Sequence, residues 1–235
     1  MLEASPLAPF AAHAESLADT GFYRVALKCP AAPDMACGSG SKPVLTDLDS
    51  ADEVAGVWLH RSGTVLAIQW QPTAPSAQRE ALVNQVFALN ATVGTPLERP
   101  PLTEVESFDV PTAWYASGRL DELTREEAGI IAHRLLHRME ARATLSPAQQ
   151  ADFMGHFTRS FVRHFAVSTA VLRTISGVAR VAKLNEEVIQ SSLPHFMGPQ
   201  YAALEQALDA GYLPVPGDPD YLDAPVADCC SIEGL

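Results

Sequence analysis

The chain carries four cysteines, Cys29, Cys37, Cys229 and Cys230. The opening Met1-Leu2-Glu3-Ala4-Ser5-Pro6 has an acidic residue and no basic one ahead of any apolar core, which makes a poor secretory signal. Thiols in such a chain are expected to stay reduced, so metal binding or redox chemistry outranks a disulfide framework. Cys37 falls in Asp34-Met35-Ala36-Cys37-Gly38-Ser39-Gly40, at or near the start of an expected helix. Unpaired backbone N–H groups and the macrodipole there favour an anion and push a thiol toward its thiolate. The thiolate is the form that binds soft ions such as Cu(I) and Hg(II). Asp34 opposes this with a nearby negative charge, and Lys42 offsets it. Cys29 lies eight residues earlier, across a loop holding Pro30, Pro33 and Met35 that can fold back on itself. Two readings of Cys29 follow: a second metal ligand, or a strand-end cysteine buried as a small hydrophobe. Cys229 and Cys230 are adjacent near the C-terminus, either a second pair of soft ligands or an exposed pair without a role.

Histidines supply a weaker set. His133, His137 and Glu140 follow an i, i+4, i+7 spacing on one side of a helix, which suits a metal. That side lies away from the Ile131, Leu135 and Met139 stripe, so a solvated polar face is the competing reading. His164 falls within the Phe157, Phe161, Phe165 face, as a hydrogen-bonded core histidine or as a site residue. The His-Glu-x-x-His signature, a phosphate-binding glycine loop and a Gly-x-Ser-x-Gly elbow are all absent. No flavin or nucleotide motif is present, and Gly38-Ser39-Gly40-Ser41 is too short to be one.

The elements that must hold Cys37 run from Tyr23 to Thr95. Tyr23-Arg24-Val25-Ala26-Leu27-Lys28 alternates as a half-buried strand does, and a Pro-rich loop follows. Val44 and Leu48 share one helix face. Val57-Trp58-Leu59, a turn at Arg61-Ser62-Gly63, and Thr64 to Ile68 read as a hairpin. Ser76 suits the cap of a second helix burying Leu82, Val83, Val86 and Phe87. Ala91-Thr92-Val93 is the expected last strand. The order is strand–helix–strand–strand–helix–strand, a ferredoxin-like βαββαβ unit.

That order, with Met35 and Cys37 at the first turn, resembles the heavy-metal-associated domain of copper and mercury chaperones and metal-pumping ATPases. The family motif is Met-x-Cys-x-x-Cys, and here Gly40 stands in the place of its second cysteine. Val44 and Leu48 match the buried helix residues, Val54 the start of the second strand, and Gly63-Thr64-Val65 the hairpin. Extra residues precede the motif, with Cys29 at their start as an additional thiol. The resemblance covers roughly a third of the chain, and it implies that Met35 packs in the core. The Cys229-Cys230 ending resembles the C-terminal vicinal cysteines of mercuric reductase, which collect Hg(II) and pass it inward. The flavin and nucleotide domains of that enzyme have no counterpart, so its reductase activity is not implied.

Beyond Arg99-Pro100-Pro101 and Val110-Pro111 the pattern turns helical. Thr124-Arg125-Glu126-Glu127 reads as a capping box opening a helix to about Arg142, and Ser146-Pro147-Ala148-Gln149 as another. The second helix carries Phe153, Phe157, Phe161 and Phe165, spaced as a core stripe. A third is expected over 168–190, loosened at Gly177, and a fourth over 199–208, ended by Gly211. The expected organisation is α+β. It comprises a lead-in over 1–20, the ferredoxin-like domain over 21–97, a linker over 98–118, a small helical bundle over 119–212, and an acidic Pro-rich tail over 213–235.

A net charge of −12 disfavours nucleic acid as a partner. Residues 119–183 hold 10 bases against 6 acids, and residues 184–235 hold 9 acids and no base. The acidic end therefore either docks on the basic segment or stays solvated. No apolar run is long enough to span a membrane, and a cytoplasmic location is the default expectation. Three functions compete. The first is a soft-metal binding or transfer protein for Cu(I) or Hg(II) using Cys37, Cys29 and the Cys229/Cys230 tail. The second is a thiol-dependent enzyme acting on an organometal or metalloid. The third is an interaction module that has lost metal binding, with the helical domain binding a partner or forming a homo-oligomer.

Overall fold

The chain is mixed α and β, an antiparallel sheet plus helices. The computed structural model describes residues 19–98, 112–192 and 194–221. Its first elements are β1 (Thr20–Val25), β2 (Lys28–Cys29), β3 (Ala32–Ala36), α1 (Gly38–Asp49), β4 (Val54–His60), β5 (Val65–Trp70), α2 (Ser76–Leu89), β6 (Gly94–Leu97) and β7 (Trp114–Ala116). A 3-10 turn over Ser117–Arg119 leads into α3 (Leu120–Glu140), α4 (Pro147–Phe165), α5 (Thr169–Thr174), α6 (Gly177–Ser192) and α7 (Pro199–Asp209).

Two compact units divide the described residues. One runs up to Leu27 and over Val44–Arg119; the other covers Lys28–Pro43 and runs on from Leu120. Lys28–Pro43, with both Cys29 and Cys37, thus groups with the helical unit, whereas the sequence reading assigned it to a domain over 21–97.

In the first unit five strands lie in the order β6-β1-β5-β4-β7, every neighbouring pair antiparallel. The central β5 is apolar throughout Val65 to Ile68 and buries all four residues. On one face Phe22, Val65, Ala67 and Trp114 cluster with Trp58 and Leu97. Tyr23 faces the other way and meets Phe87 of α2 edge-on at 6.1 Å. Pro96 lies in edge strand β6, where its missing donor costs the ladder least.

Several local expectations shift. The last strand begins at Gly94 instead of Ala91, because 90–93 is spent ending α2. Thr92 N–H bonds Phe87 O at 2.9 Å, Asn90 Nδ2 bonds Val86 O, and Ala91 takes φ 47°. Gly94 then passes so close to Phe87 that a Cβ would lie 2.2 Å from the ring. Ser76 is the first residue of α2; Pro75 is the N-cap, without a side-chain bond. Trp114–Ala116, expected within the linker, pairs with β4 instead.

In the second unit α3 packs against α4, α7 and β3, and α6 against α4 and α7. The phenylalanine stripe fills this core, with Phe161 and Phe165 stacked at 4.4 Å. The Ser146/Gln149 capping box forms, with proline in the first turn of α4. The one expected at Thr124 does not. Helix α3 starts a turn earlier, and Thr124 is buried with its hydroxyl 3.4 Å from Leu120 O. The helix expected over 168–190 breaks in two. Ile175 is extended, and Ser176 Oγ accepts the Ala179 N–H at 3.2 Å to start α6.

Among the described residues of the acidic end, 211–220 dock on the basic helix. Arg138 makes a fork to Asp218 at 2.9 and 2.6 Å and also bonds Gly211 O and Leu213 O. Arg134 pairs with Asp220, Tyr212 O and Ala31 O. Residues 211–220 are therefore strapped to α3. No helix among the described residues is long and apolar enough to cross a membrane.

Candidate thiol–carboxylate site

The segment expected as a Pro-rich loop is a hairpin. Lys28 pairs with Ala36 and Cys29 with Ala32, and a register shift between Lys28 and Cys29 lets Pro30 and Ala31 turn the chain. Ala32, Met35 and Ala36 are buried, so small residues and one methionine seat the hairpin against α3. The buried Arg134 donates to Ala31 O at 2.7 Å and fixes the turn two residues after Cys29.

Cys37 leaves the hairpin at the N-cap of α1. Ser41 N–H bonds Cys37 O at 2.9 Å, the first helical bond, and Gly40 N–H donates to Cys37 Sγ at 3.3 Å. A thiol sulfur thus takes the capping role usual for a serine or aspartate oxygen. Ser39 Oγ lies 3.7 Å from the same sulfur. Two glycines allow this. A Cβ on Gly38 would stand 2.3 Å from Thr124 Oγ1 and 2.8 Å from Leu120 O, so α1 can start hard against α3 only without one. A Cβ on Gly40 would lie 3.1 Å from Cys37 Sγ. Gly40 therefore faces the Cys37 sulfur with a bare backbone N–H.

The partner sulfur arrives from the hairpin. Cys29, Cys37 and Glu127 bring their sulfurs and a carboxylate oxygen within 4.8 Å of one another. The Cys29 thiol donates to Glu127 Oε1 at 3.0 Å, while Glu127 Oε2 is buried with no hydrogen-bond partner. Neither cysteine is in a disulfide. Cys29 is almost wholly buried, and Cys37 is partly exposed.

Electrostatics make the trio unequal. The hydrogen bond to Cys37 and then burial push the Cys29 thiol well up, with the charges of Glu127 and Cys37 adding to the shift. Burial raises Glu127 well above the usual carboxylate range, helped by the Cys37 charge and opposed by the Cys29 thiol and the Gly38 N–H. Arg180 of α6 supplies the balancing cation. Burial lowers its pKa, and the Cys37 charge works against that lowering. Its guanidinium lies 5.3 Å over the Phe165 ring and donates to Ile175 O, with Nε unpaired. Burial thus favours the protonated forms of Cys29 and Glu127.

Glu127 escaped the sequence reading because it looked like part of a helix cap. Its signal was periodic: Glu127 continues the Ile131, Leu135, Met139 stripe one turn earlier, an acid on the buried face. Arg134 and Arg138 share that logic. The other expected site residues do not join the trio. His133, His137 and Glu140 lie on the exposed face of α3, where Glu140 Oε1 accepts from Gln150 Nε2 at 2.6 Å. His164 is no core residue. It bonds Glu187 Oε2 at 3.0 Å, and the same carboxylate accepts from Ser160 and Arg163, tying α4 to α6. Cys229 and Cys230 lie outside the described residues. Compared with family models, curated proteins and solved structures, the chain matches none.

Proposed function

We propose that the protein captures a soft thiophilic ion, Cu(I) or Hg(II), on Cys29 and Cys37, as a binding or transfer protein. The convergence of two sulfurs and a carboxylate within 4.8 Å carries this reading. Two thiolates suit ions that accept two-coordinate sulfur sites, whereas a structural zinc needs four ligands. Capture requires Cys29 to lose its proton, and Glu127, within hydrogen-bond reach, is the group that would relay it out of the site. Both thiols must stay reduced, which fits a reducing compartment such as the cytoplasm.

The heavy-metal-associated resemblance gains support from topology. Counted along the expected βαββαβ unit, β6, β1, β5 and β4 are its fourth, first, third and second strands, all antiparallel. On this reading Cys29 replaces the motif's missing second cysteine from across the hairpin. The Cys229/Cys230 pair would then act as a collecting site, with residues up to Asp220 anchored beside the Ala31 turn through Arg134.

Glu127 favours a second reading, thiol-dependent cleavage of an organometal. Such a reaction needs a proton donor beside the thiols, and a buried carboxyl with a raised pKa is one. The two readings separate in one experiment. The reduced full chain is titrated with Hg(II) against a competing thiol, then given an alkylmercury salt while released hydrocarbon is measured. Binding lost in Cys37→Ser without hydrocarbon release supports capture alone, and catalytic release lost in Glu127→Gln supports cleavage. Uptake that survives Cys37→Ser undiminished in a Cys229→Ser/Cys230→Ser background defeats both.

A further inference from the structure

Two sulfurs this close, one shielded and one open, also form a redox pair. We propose that Cys29 and Cys37 are a reversible dithiol–disulfide couple that exchanges with low-molecular-weight disulfides, Cys37 attacking, Cys29 resolving and Glu127 taking the Cys29 proton. The inference needs no metal and goes beyond the capture reading.

Access and position assign the roles. Cys37 is the sulfur with solvent exposure, and it sits where Gly40 N–H and the start of α1 stabilise negative charge. Cys29 is shielded from any incoming disulfide but is within 4.8 Å of the Cys37 sulfur. Its S–H already points at Glu127 Oε1, 3.0 Å away. Side-chain rotation and small hairpin shifts must bring the sulfurs to a bond of about 2.05 Å. Ala31 and Pro30 at the turn, and the register shift beside Cys29, leave that end of the hairpin free of a regular ladder.

The exchange balances in two steps. The Cys37 thiolate attacks one sulfur of R–S–S–R, that S–S bond breaks, and RS⁻ departs, leaving Cys37–S–S–R. The proton on Glu127 is lost to solvent, from which this RS⁻ takes one up as RSH, and Glu127 is left as a carboxylate. Glu127 carboxylate then accepts the Cys29 proton, and the Cys29 thiolate attacks Cys37 Sγ and expels a second RS⁻. Glu127 passes the proton to a departing thiolate. Two cysteines are oxidised by two electrons, and one small disulfide is reduced to two thiols.

The test uses the full chain in a Cys229→Ser/Cys230→Ser background, metal-free in chelator, mixed with glutathione disulfide, acid-quenched and weighed by mass spectrometry. The background protein is expected to lose two hydrogens and to show little mixed disulfide. Cys29→Ser, with Cys29→Ala beside it in case the serine variant folds poorly, should trap one glutathione on Cys37. Glu127→Gln should gain the adduct at a similar rate but close the disulfide slower by about two orders of magnitude. That split is one a merely structural role for Glu127 would not produce. Failure of Cys29→Ser and Cys29→Ala to trap an adduct overturns the proposal, as does a background protein that keeps its adduct without closing. Because no metal is present, disulfide formation without Hg(II) or Cu(I) uptake would leave this couple standing while the capture reading falls, and uptake without closure would do the reverse.

Discussion

Cys29 donates its thiol hydrogen to Glu127 across 98 residues of sequence, at 3.0 Å. The contact joins the only acid on the buried stripe of α3 to the hairpin that also delivers Met35 and Cys37. It depends on Gly38, which lets α1 start against Thr124, one turn before Glu127. It depends also on Arg134, which holds the hairpin turn at Ala31. A cysteine paired in this way is more than a small hydrophobe at a strand end.

Reactivity should follow from that pairing. With a thiol reagent at neutral pH, Cys37 is expected to react well ahead of Cys29, which is shielded and keeps its proton in the hydrogen bond to Glu127. Labelling rates of Cys29→Ser and Cys37→Ser, in the background lacking the tail cysteines, check the order. Equal rates would mean that the partly open position and the Gly40 N–H do not govern the sulfur.

The two glycines should separate in their effects. Gly38→Ala drives a Cβ into the Thr124 backbone at 2.5 Å and is expected to destabilise by about 1–3 kcal/mol. Gly40→Ala meets only the Cys37 side chain, and alanine in a helix gains about 0.5–1 kcal/mol over glycine. Its urea midpoint should hold or rise while labelling at Cys37 slows. A fall in stability at position 40 comparable to that at 38 would contradict the geometry.

The strap on α3 predicts an acid limb. Burial works to raise Asp218, but the Arg138 hydrogen bonds, the Val215 N–H and the charges of Arg138 and Arg134 outweigh it and hold the carboxyl low. A depressed folded pKa contributes stability that is complete above the ordinary value and lost as pH falls through the folded one. Asp218→Asn should flatten that part of the acid denaturation curve. At neutral pH it should cost about 3 kcal/mol, because Arg138 is left buried without its carboxylate.

Glu127 has the opposite sign. Its raised pKa contributes stability that is complete below the ordinary carboxylate value and lost as pH rises through the folded value. The reduced, metal-free chain should therefore weaken on the alkaline side of that range, and Glu127→Gln should remove the slope. Urea unfolding from pH 4 to 9 reads it directly. An unchanged slope in the variant would mean that Glu127 is not the group titrating.

Much of this was legible in residue order. The mixing of strands and helices, the phenylalanine stripe and the Ser146 cap each follow from local periodicity or turn chemistry. What escaped was set by long-range contact. Cys29 and Glu127 meet only because a hairpin folds over a helix far along the chain, and no local pattern encodes that distance. The Pro30–Pro33 loop hid its pairing because prolines suppress strand signals, although Lys28 and Ala36 still find each other. Thr124-Arg125-Glu126-Glu127 imitates a cap, and only the burial of α3's first turn shows that both ends of the motif serve packing and the site. Asp218 and Asp220 were visible as charge, and their docking on Arg138 and Arg134 was one of two open outcomes.

The central claim is that Cys29 and Cys37 act on one ion together, and a double-mutant cycle tests it most directly. Hg(II) affinity is measured by thiol competition for the chain lacking tail cysteines and for Cys29→Ser, Cys37→Ser and the double variant. If both sulfurs hold the same ion, each single change should remove most of the tight binding and the second should remove little more, a coupling well beyond the roughly 0.5 kcal/mol typical of independent sites. Affinity unchanged in Cys29→Ser, or two losses that simply add, would mean that the sulfurs work apart.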